Sequence, residues 1–210
     1  VIPNKYLMLG NIANFFLDEI MGDQSLDFRS LISRVFNLNP VAFSLFDDPT
    51  AREIVQRAQK HFVNLKMVVK RSLPKHGIKI SDCFLEPTFY SERYGLQGRL
   101  DVLHDNPEIE DDASIIELKS GKPFRANVYG LSHNHYIQTL LYDLLIKSAS
   151  DDKLRPTNYI LYSGNDVDHL RFAPAVRSQQ YEALAVRNLL VGTDRRLAAT
   201  DQFISNPASF

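Results

Sequence analysis

The tetrad Glu117-Leu118-Lys119-Ser120, with Gly98-Arg99-Leu100-Asp101 ending sixteen residues before Glu117, carries the strongest chemical signal in this chain. Side chains alternate along a strand, so Glu117 and Lys119 share a face. The acidic, polar segment from His104 to Asp112 reads as the loop of a hairpin, and folding about its middle brings Asp101 close to Glu117. Two neighbouring carboxylates repel unless a cation sits between them. Oxygen-only ligands suit Mg²⁺ or Mn²⁺. Such an ion beside a lysine is equipped to activate water and to stabilise phosphorane-like charge. These residues point to metal-dependent cleavage of a phosphodiester bond.

The elements that must hold them follow from periodicity. Leu9, Ile12, Ala13, Phe16, Leu17 and Ile20 predict a helix from about Tyr6 to Met21, and a second helix is expected from Phe28 to Phe36. Asp47-Asp48-Pro49-Thr50 signals the start of a long helix to about Arg71, ended by Pro74 and Gly77. Three strands are then expected: Cys83–Ser91, Tyr94–Leu103 and Ala113–Lys119. Alternation in the second puts Leu96, Leu100 and Val102 on one face and Arg99 and Asp101 on the other. A loop over Gly121–Gly130 leads to a strong helix over Ser132–Ser148. Strands at Asn158–Tyr162 and His169–Phe172 and a helix at Val176–Leu190 complete the pattern, with 193–210 poorly patterned. This order predicts an α/β fold with a mixed sheet flanked by helices, and one domain over residues 1–210.

Composition sets bounds. The 210 residues are 44% hydrophobic, enough for one sizeable core. A formal charge of −1 offers no global basic footprint, so a nucleic-acid partner needs a local basic groove. The single cysteine, Cys83, cannot form an internal disulfide and cannot alone hold zinc; it reads as a small core hydrophobe. No apolar run is long enough to span a bilayer, and a cytoplasmic setting without membrane contact is expected. The opening Val1-Ile2-Pro3-Asn4 has neither an initiator methionine nor signal-peptide character, which suggests a domain excised from a longer protein. No Gly-x-x-x-x-Gly-Lys-Ser/Thr loop occurs, so any ATPase belongs to other sequence.

Gly98-Arg99-Leu100-Asp101, Glu117-Leu118-Lys119-Ser120-Gly121-Lys122 and Gln138-Thr139-Leu140-Leu141-Tyr142, in that order, resemble the PD-(D/E)XK nuclease superfamily. Within it they are most similar to the RecB-like branch, and there to the nuclease domains of replication helicase–nucleases. Glu86-Pro87, Tyr94-Gly95-Leu96-Gln97 and His135-Tyr136-Ile137 extend the likeness. The resemblance implies a restriction-endonuclease-like fold and Mg²⁺ or Mn²⁺ held by Asp101, Glu117 and the Leu118 carbonyl, with Glu86 as a further ligand or supporting acid. It makes Lys119 the catalytic lysine, with Gln138 and Tyr142 bonded to it or to a phosphate. It also implies DNA as partner, single-stranded or flap-like, and a helicase region in the same or a partner chain. On a solvated hairpin face, Asp101, Glu117 and Lys119 would instead form only a cross-strand salt bridge.

Arg99, Lys122, Arg125 and His135 are candidate substrate contacts, and Phe124, Tyr129 and Tyr136 could stack on bases or pack in the core. The main departure from the resemblance is on the first helix. A histidine ligand is implied four residues after Gly10, where this chain has Asn14. An amide oxygen serves Mg²⁺ but is a poorer donor to Mn²⁺ than imidazole. The iron–sulfur cluster of some relatives needs four cysteines and is not expected here. Two rival readings are a nuclease-like module that binds DNA without cutting it, and a small metal-dependent phosphohydrolase on an unrelated α/β fold. The first predicts binding without cleavage; the second predicts no Gln138–Tyr142 helix beside the acids.

Overall fold

A computed structural model describes residues 4–199. Helix α1 (Lys5–Gly22) starts where the Asn4 side chain accepts the Tyr6 and Leu7 amides. It buries the predicted row Leu9, Ile12, Ala13, Phe16, Leu17 and Ile20. α2 (Phe28–Leu38) and the short α3 (Pro40–Ser44) follow. α4 (Asp48–Met67) is capped by the Asp47 carboxylate on the Thr50 amide and carries Pro49 in its first turn. It runs on through a π-helical turn, Val68–Ser72, into α5 (Leu73–Lys75), and the chain reverses at Gly77 with φ +72°.

The sheet is mixed and five-stranded, with β1 (Cys83–Leu85), β4 (Val102–Asp105), β5 (Asp112–Lys119), β6 (Arg155–Tyr162) and β7 (Leu170–Phe172) side by side in that order. Only β5 and β6 run parallel, joined by the crossover helix α6 (His133–Ala149). β2 (Thr88–Ser91) and β3 (Leu96–Arg99) form a separate hairpin. α7 (Arg177–Ala198) packs on α6. The central strand β5 is buried on both faces. Ile116 and Leu118 join the core under α1, α2 and α4, while Ala113 and Ile115 join a core with Leu145 and Ile146 of α6. Glu117 and Lys119 share the α6 face, as their spacing predicts.

Three expectations need correction. The strands predicted at Cys83–Ser91 and Tyr94–Leu103 are each broken, at Glu86-Pro87 and at Leu100-Asp101. The pairing register survives the break: carrying the Leu85–Val102 pair three residues along each strand gives the observed Thr88–Arg99 pair. The two predicted strands are thus one ribbon, kinked where Glu86 takes a left-handed φ of +50° ahead of Pro87. Because of the kink, Leu100 and Val102 do not share a face; Leu100 enters the core beside α6 and Val102 the core beneath α1. The solvated hairpin face weighed as an alternative does not describe this cluster, since Glu117 is only 4% exposed. Finally, α7 continues to Ala198, beyond the end expected at Leu190; the rest of the poorly patterned tail, 200–210, lies outside the described residues. Cys83 is partly buried against the larger core, where burial pushes its thiol up to about 11. Among the described residues no helix is long and apolar enough to cross a membrane.

Candidate active site

The site forms where the kinked ribbon leaves the sheet. Across the kink the Glu86 amide donates to the Asp101 carbonyl (3.0 Å) and the Leu100 amide to the Pro87 carbonyl (3.1 Å). β4 begins one residue later, so β5 has no strand partner at Leu118 on this side. The Asp101 side chain takes that place: its Oδ2 accepts the Leu118 amide at 2.6 Å. In an extended residue N–H and C=O point to the same strand edge, so the Leu118 carbonyl also faces this edge. The freed hairpin β2–β3 folds over α6. Gly98 makes that possible, because a Cβ there would stand 2.7 Å from Tyr142 Cε1 and 3.2 Å from Leu145 Cδ2.

α6 supplies the lid. Lys119 Nζ donates to Glu117 Oε1 and to Gln138 Oε1, each at 2.8 Å. Gln138 Nε2 donates to the same Glu117 Oε1 (2.8 Å) and to Tyr142 Oη (3.0 Å). Tyr142 in turn donates to the Arg99 carbonyl at 2.9 Å, tying the helix to β3. The i, i+4 spacing of Gln138 and Tyr142 puts both on the helical row that faces β5. An ammonium has three N–H donors. Two of those on Lys119 are used, and one remains for a substrate oxygen.

Burial raises both carboxyls. Glu117 is pushed up to about 7 by its burial first and by the Asp101 charge second, against the pull of Lys119 and Gln138. Asp101 is raised by burial too, while the Leu118 amide and Lys119 draw it back. Glu117 Oε2 is buried with no hydrogen-bond partner. A buried carboxylate oxygen in that state calls for a proton or a cation. This gives a measurable consequence for the metal-free protein. A carboxyl with a raised folded pKa stabilises the fold below its ordinary value, and that contribution is lost as pH rises through the folded value. The window for Glu117 runs from the ordinary 4.5 to about 7. His61 and His135, both lowered to about 4 by burial, pull the other way between that value and their ordinary 6.5, so the readout is a difference. In chelator, Glu117→Gln should melt with the parent at pH 4.5 and increasingly above it as pH rises to 7. Parallel melting curves across that range would contradict the buried charge.

The other predicted residues scatter around this centre. Glu86, at the kink, receives Arg99 Nη1 at 3.3 Å and adds its charge to Asp101. Lys122 bonds Asp166 at 2.6 Å, on the far side of the Ser120 turn. Arg125, at φ +47°, stacks over the Phe124 ring at 5.2 Å and makes no contact with the acids. His135 Nδ1 lies 3.1 Å from Tyr162 Oη, and burial followed by the Lys119 charge keeps it neutral at physiological pH. Tyr136 is core, 2% exposed, with its hydroxyl on the Pro174 carbonyl, so it offers no base a face. Gly10 packs near Ser120 Oγ, and Asp18 feels the charges of Glu86 and Asp101. Asn14 lies between these two on the same four-residue row of α1.

Asp18 is the residue that the sequence reading missed. Burial and then Glu86 and Asp101 raise it to about 6. Extending the Gly10–Asn14 spacing by one more turn would have found it. Among the described residues no three acidic, imidazole or thiol groups close around an ion by themselves. Mg²⁺ ordinarily takes only one or two carboxylates and fills its shell with water and substrate oxygens. Asp101, Glu117 with its orphaned oxygen, and the Leu118 carbonyl fit that demand.

No family model matches the chain. Over 220 aligned residues it is 27% identical to the DNA replication ATP-dependent helicase/nuclease dna2 of Schizosaccharomyces pombe. The alignment takes in 97% of this chain but 15% of that protein, so the chain spans about 15% of its relative's length. In structure it superposes on a candidate exonuclease from Eubacterium rectale with a TM-score of 0.56, over 97% of this chain and 74% of that one, at 12% identity. The mixed sheet flanked by helices is therefore a nuclease-like fold, and the sequence relationship is to a nuclease-bearing protein.

Proposed function

We propose that this chain is a single nuclease domain of the PD-(D/E)XK type, RecB-like, that hydrolyses DNA phosphodiester bonds with Mg²⁺ or Mn²⁺. The observation that carries the reading is the orphaned oxygen of Glu117, buried beside Asp101 where β5 runs on past the end of its pairing with β4. Asp101, Glu117 and the Leu118 carbonyl would hold the ion, with Glu86, Asp18 and Asn14 bordering it. When bound, a divalent cation supplies Lewis acidity toward water and phosphate oxygens.

The remaining work falls to the protein. Lys119 directs its remaining N–H at a non-bridging phosphate oxygen, where negative charge grows during in-line attack. Gln138 fixes the Lys119 ammonium between its own Oε1 and Glu117, and Tyr142 anchors Gln138 through the Arg99 carbonyl. Arg99, Lys122, Arg125 and His135 are the candidate backbone contacts. The substrate is single-stranded or flap-like DNA. A helicase region in the same or a partner chain delivers it, as the name of the fission yeast relative suggests. Cleavage of labelled single-stranded, duplex and flap DNA, in Mg²⁺, in Mn²⁺ and in chelator, tests the reading. Metal-dependent cutting of the single-stranded or flap form is expected, and no cutting under any condition would overturn it.

Asn14 favours a second reading, a module that binds DNA and cuts it weakly or not at all. The two readings part on one substitution. Imidazole is a stronger donor to a transition ion than an amide oxygen. In an active nuclease, Asn14→His should tighten Mn²⁺ binding and raise Mn²⁺-supported cleavage modestly, with little change in Mg²⁺. In a crippled module it should restore cleavage from nothing. Unchanged metal affinity and rate would remove Asn14 from the site.

A further inference from the structure

We infer that a cationic trench running from the end of β5 binds the single-stranded continuation of the substrate, with Tyr6 as a base-stacking platform and Asp166 as a displaceable latch. The inference rests on the nuclease reading above and extends it to a surface outside the catalytic residues. Beyond Lys119 the chain turns at Ser120-Gly121-Lys122, held against β6 by the Ser163 amide on the Lys119 carbonyl (3.0 Å). Gly164 permits the contact, since a Cβ there would stand 2.2 Å from the Ser120 carbonyl oxygen. A groove of about 650 Å³ opens at this turn, lined by Tyr6, Arg57, Lys60, His61, Ser120 and Lys122 among others. Tyr6 also lines a second hollow of about 730 Å³, bordered by Lys5 and Asp47.

The charge pattern is unusual for a chain of formal charge −1. Asp166 bridges Lys60 and Lys122, and Glu53 bridges Lys5 and Arg57. Four cations thus share two carboxylates, and with Asp47 at the far end the local surplus is one positive charge. His61 adds none, because burial lowers it to about 4 and its Nδ1 is engaged by Ser163 Oγ at 2.9 Å. Arg57, Lys60 and Lys122 are largely open to solvent and Lys5 is partly so, and ion pairs of this kind contribute little to folding. A phosphate backbone can therefore replace each carboxylate at little cost to the fold, and it gains the surplus charge as well.

Tyr6 supplies the preference for unpaired bases. Tyr6 is 64% exposed, on the first turn of α1, with Lys5 Nζ 5.5 Å and the Arg57 guanidinium 5.8 Å from its ring centroid. The Asn4 cap fixes that turn. An exposed aromatic flanked by cations is the arrangement that stacks a splayed base while its phosphates are held alongside. A duplex, whose bases are already stacked, cannot use it.

The test is fluorescence anisotropy of labelled oligothymidine in chelator, across a salt series, with cleavage in Mg²⁺ assayed alongside. Each phosphate contact on a single strand contributes about 0.7 to the slope of log affinity against log salt. The double variant Arg57→Ala/Lys60→Ala should lose about 1.4 of that slope and about 10-fold in affinity. Tyr6→Ala should bind about 10-fold more weakly at unchanged slope, and Tyr6→Phe should bind as the parent does. Asp166→Asn should bind more tightly than the parent. Lys79→Ala, paired with Glu108 at the opposite end of β5, should match the parent. Parental affinity and slope in the Arg57/Lys60 variant, or equal parental affinity for duplex, would overturn the trench while cleavage by the parent leaves the nuclease reading standing. A parent that neither binds nor cuts would overturn both.

Discussion

Glu117→Gln and Asp101→Asn should each reduce metal-dependent cleavage by at least about 10³-fold while leaving DNA binding intact or stronger. Both changes preserve shape and an acceptor oxygen. The carboxamide introduced at position 117 can still accept from Lys119 and Gln138. The one introduced at position 101 can still accept the Leu118 amide, so the local fold stays in place. What disappears is one negative charge at the place proposed to hold a cation. The same charge repels the phosphodiester, which is why affinity for the substrate should not fall. Single-turnover cleavage of labelled flap DNA in Mg²⁺ and Mn²⁺ measures the first effect, and anisotropy in chelator measures the second. If both variants cut at rates near the parent's, the chemistry lies elsewhere on the protein.

The second large effect belongs to Lys119. Lys119→Ala should slow cleavage by about 10² or more, the scale for loss of a positioned charge or proton donor. Divalent-ion affinity, read by calorimetry, should persist or rise, because lysine is not a ligand and its removal lowers the local positive charge. Lys119→Gln provides the control for structure. It returns a donor to Glu117 Oε1, so a defect that persists in this variant is a defect of charge. A parental rate in both variants would reduce Lys119 to a salt-bridge partner of Glu117.

Much of this arrangement was legible from residue spacing, and the parts that were not have physical reasons. The apolar rows of α1, α4 and α6 repeat with the helical period because each is pressed on a core along its length. β5 betrayed itself by alternation, and the acidic turn before it marked the hairpin, whose observed Val102–Ile116 pair sets Asp101 close to Glu117. The kink stayed hidden because it changes direction without changing register, and register is all that alternation encodes. Glu86-Pro87 was its signature: proline offers no amide to a ladder, and it limits the residue before it. α7 ran past its expected end because its buried residues, Gln180, Ala183 and Leu184, all lie near its start. The later turns are largely exposed, so no apolar period marks them. Asp18 was missed because a polar residue on a helix reads as solvated until the strand edge opposite it is known.

The hydrogen bond from the Leu118 amide to Asp101 has a consequence for how diverged copies of such a domain should be judged. Position 101 serves two masters, since its side chain completes the strand edge whether or not any reaction is performed. A lineage that abandoned DNA cleavage would still be held by folding to an aspartate or asparagine there. Glu117 is held differently: its Oε1 accepts from Lys119 and Gln138, which a neutral glutamine could also do, while its buried and unpartnered Oε2 is a liability to the bare fold. A glutamate at 117 is therefore the feature to inspect first when a sequence of this kind is asked whether it can hold a cation.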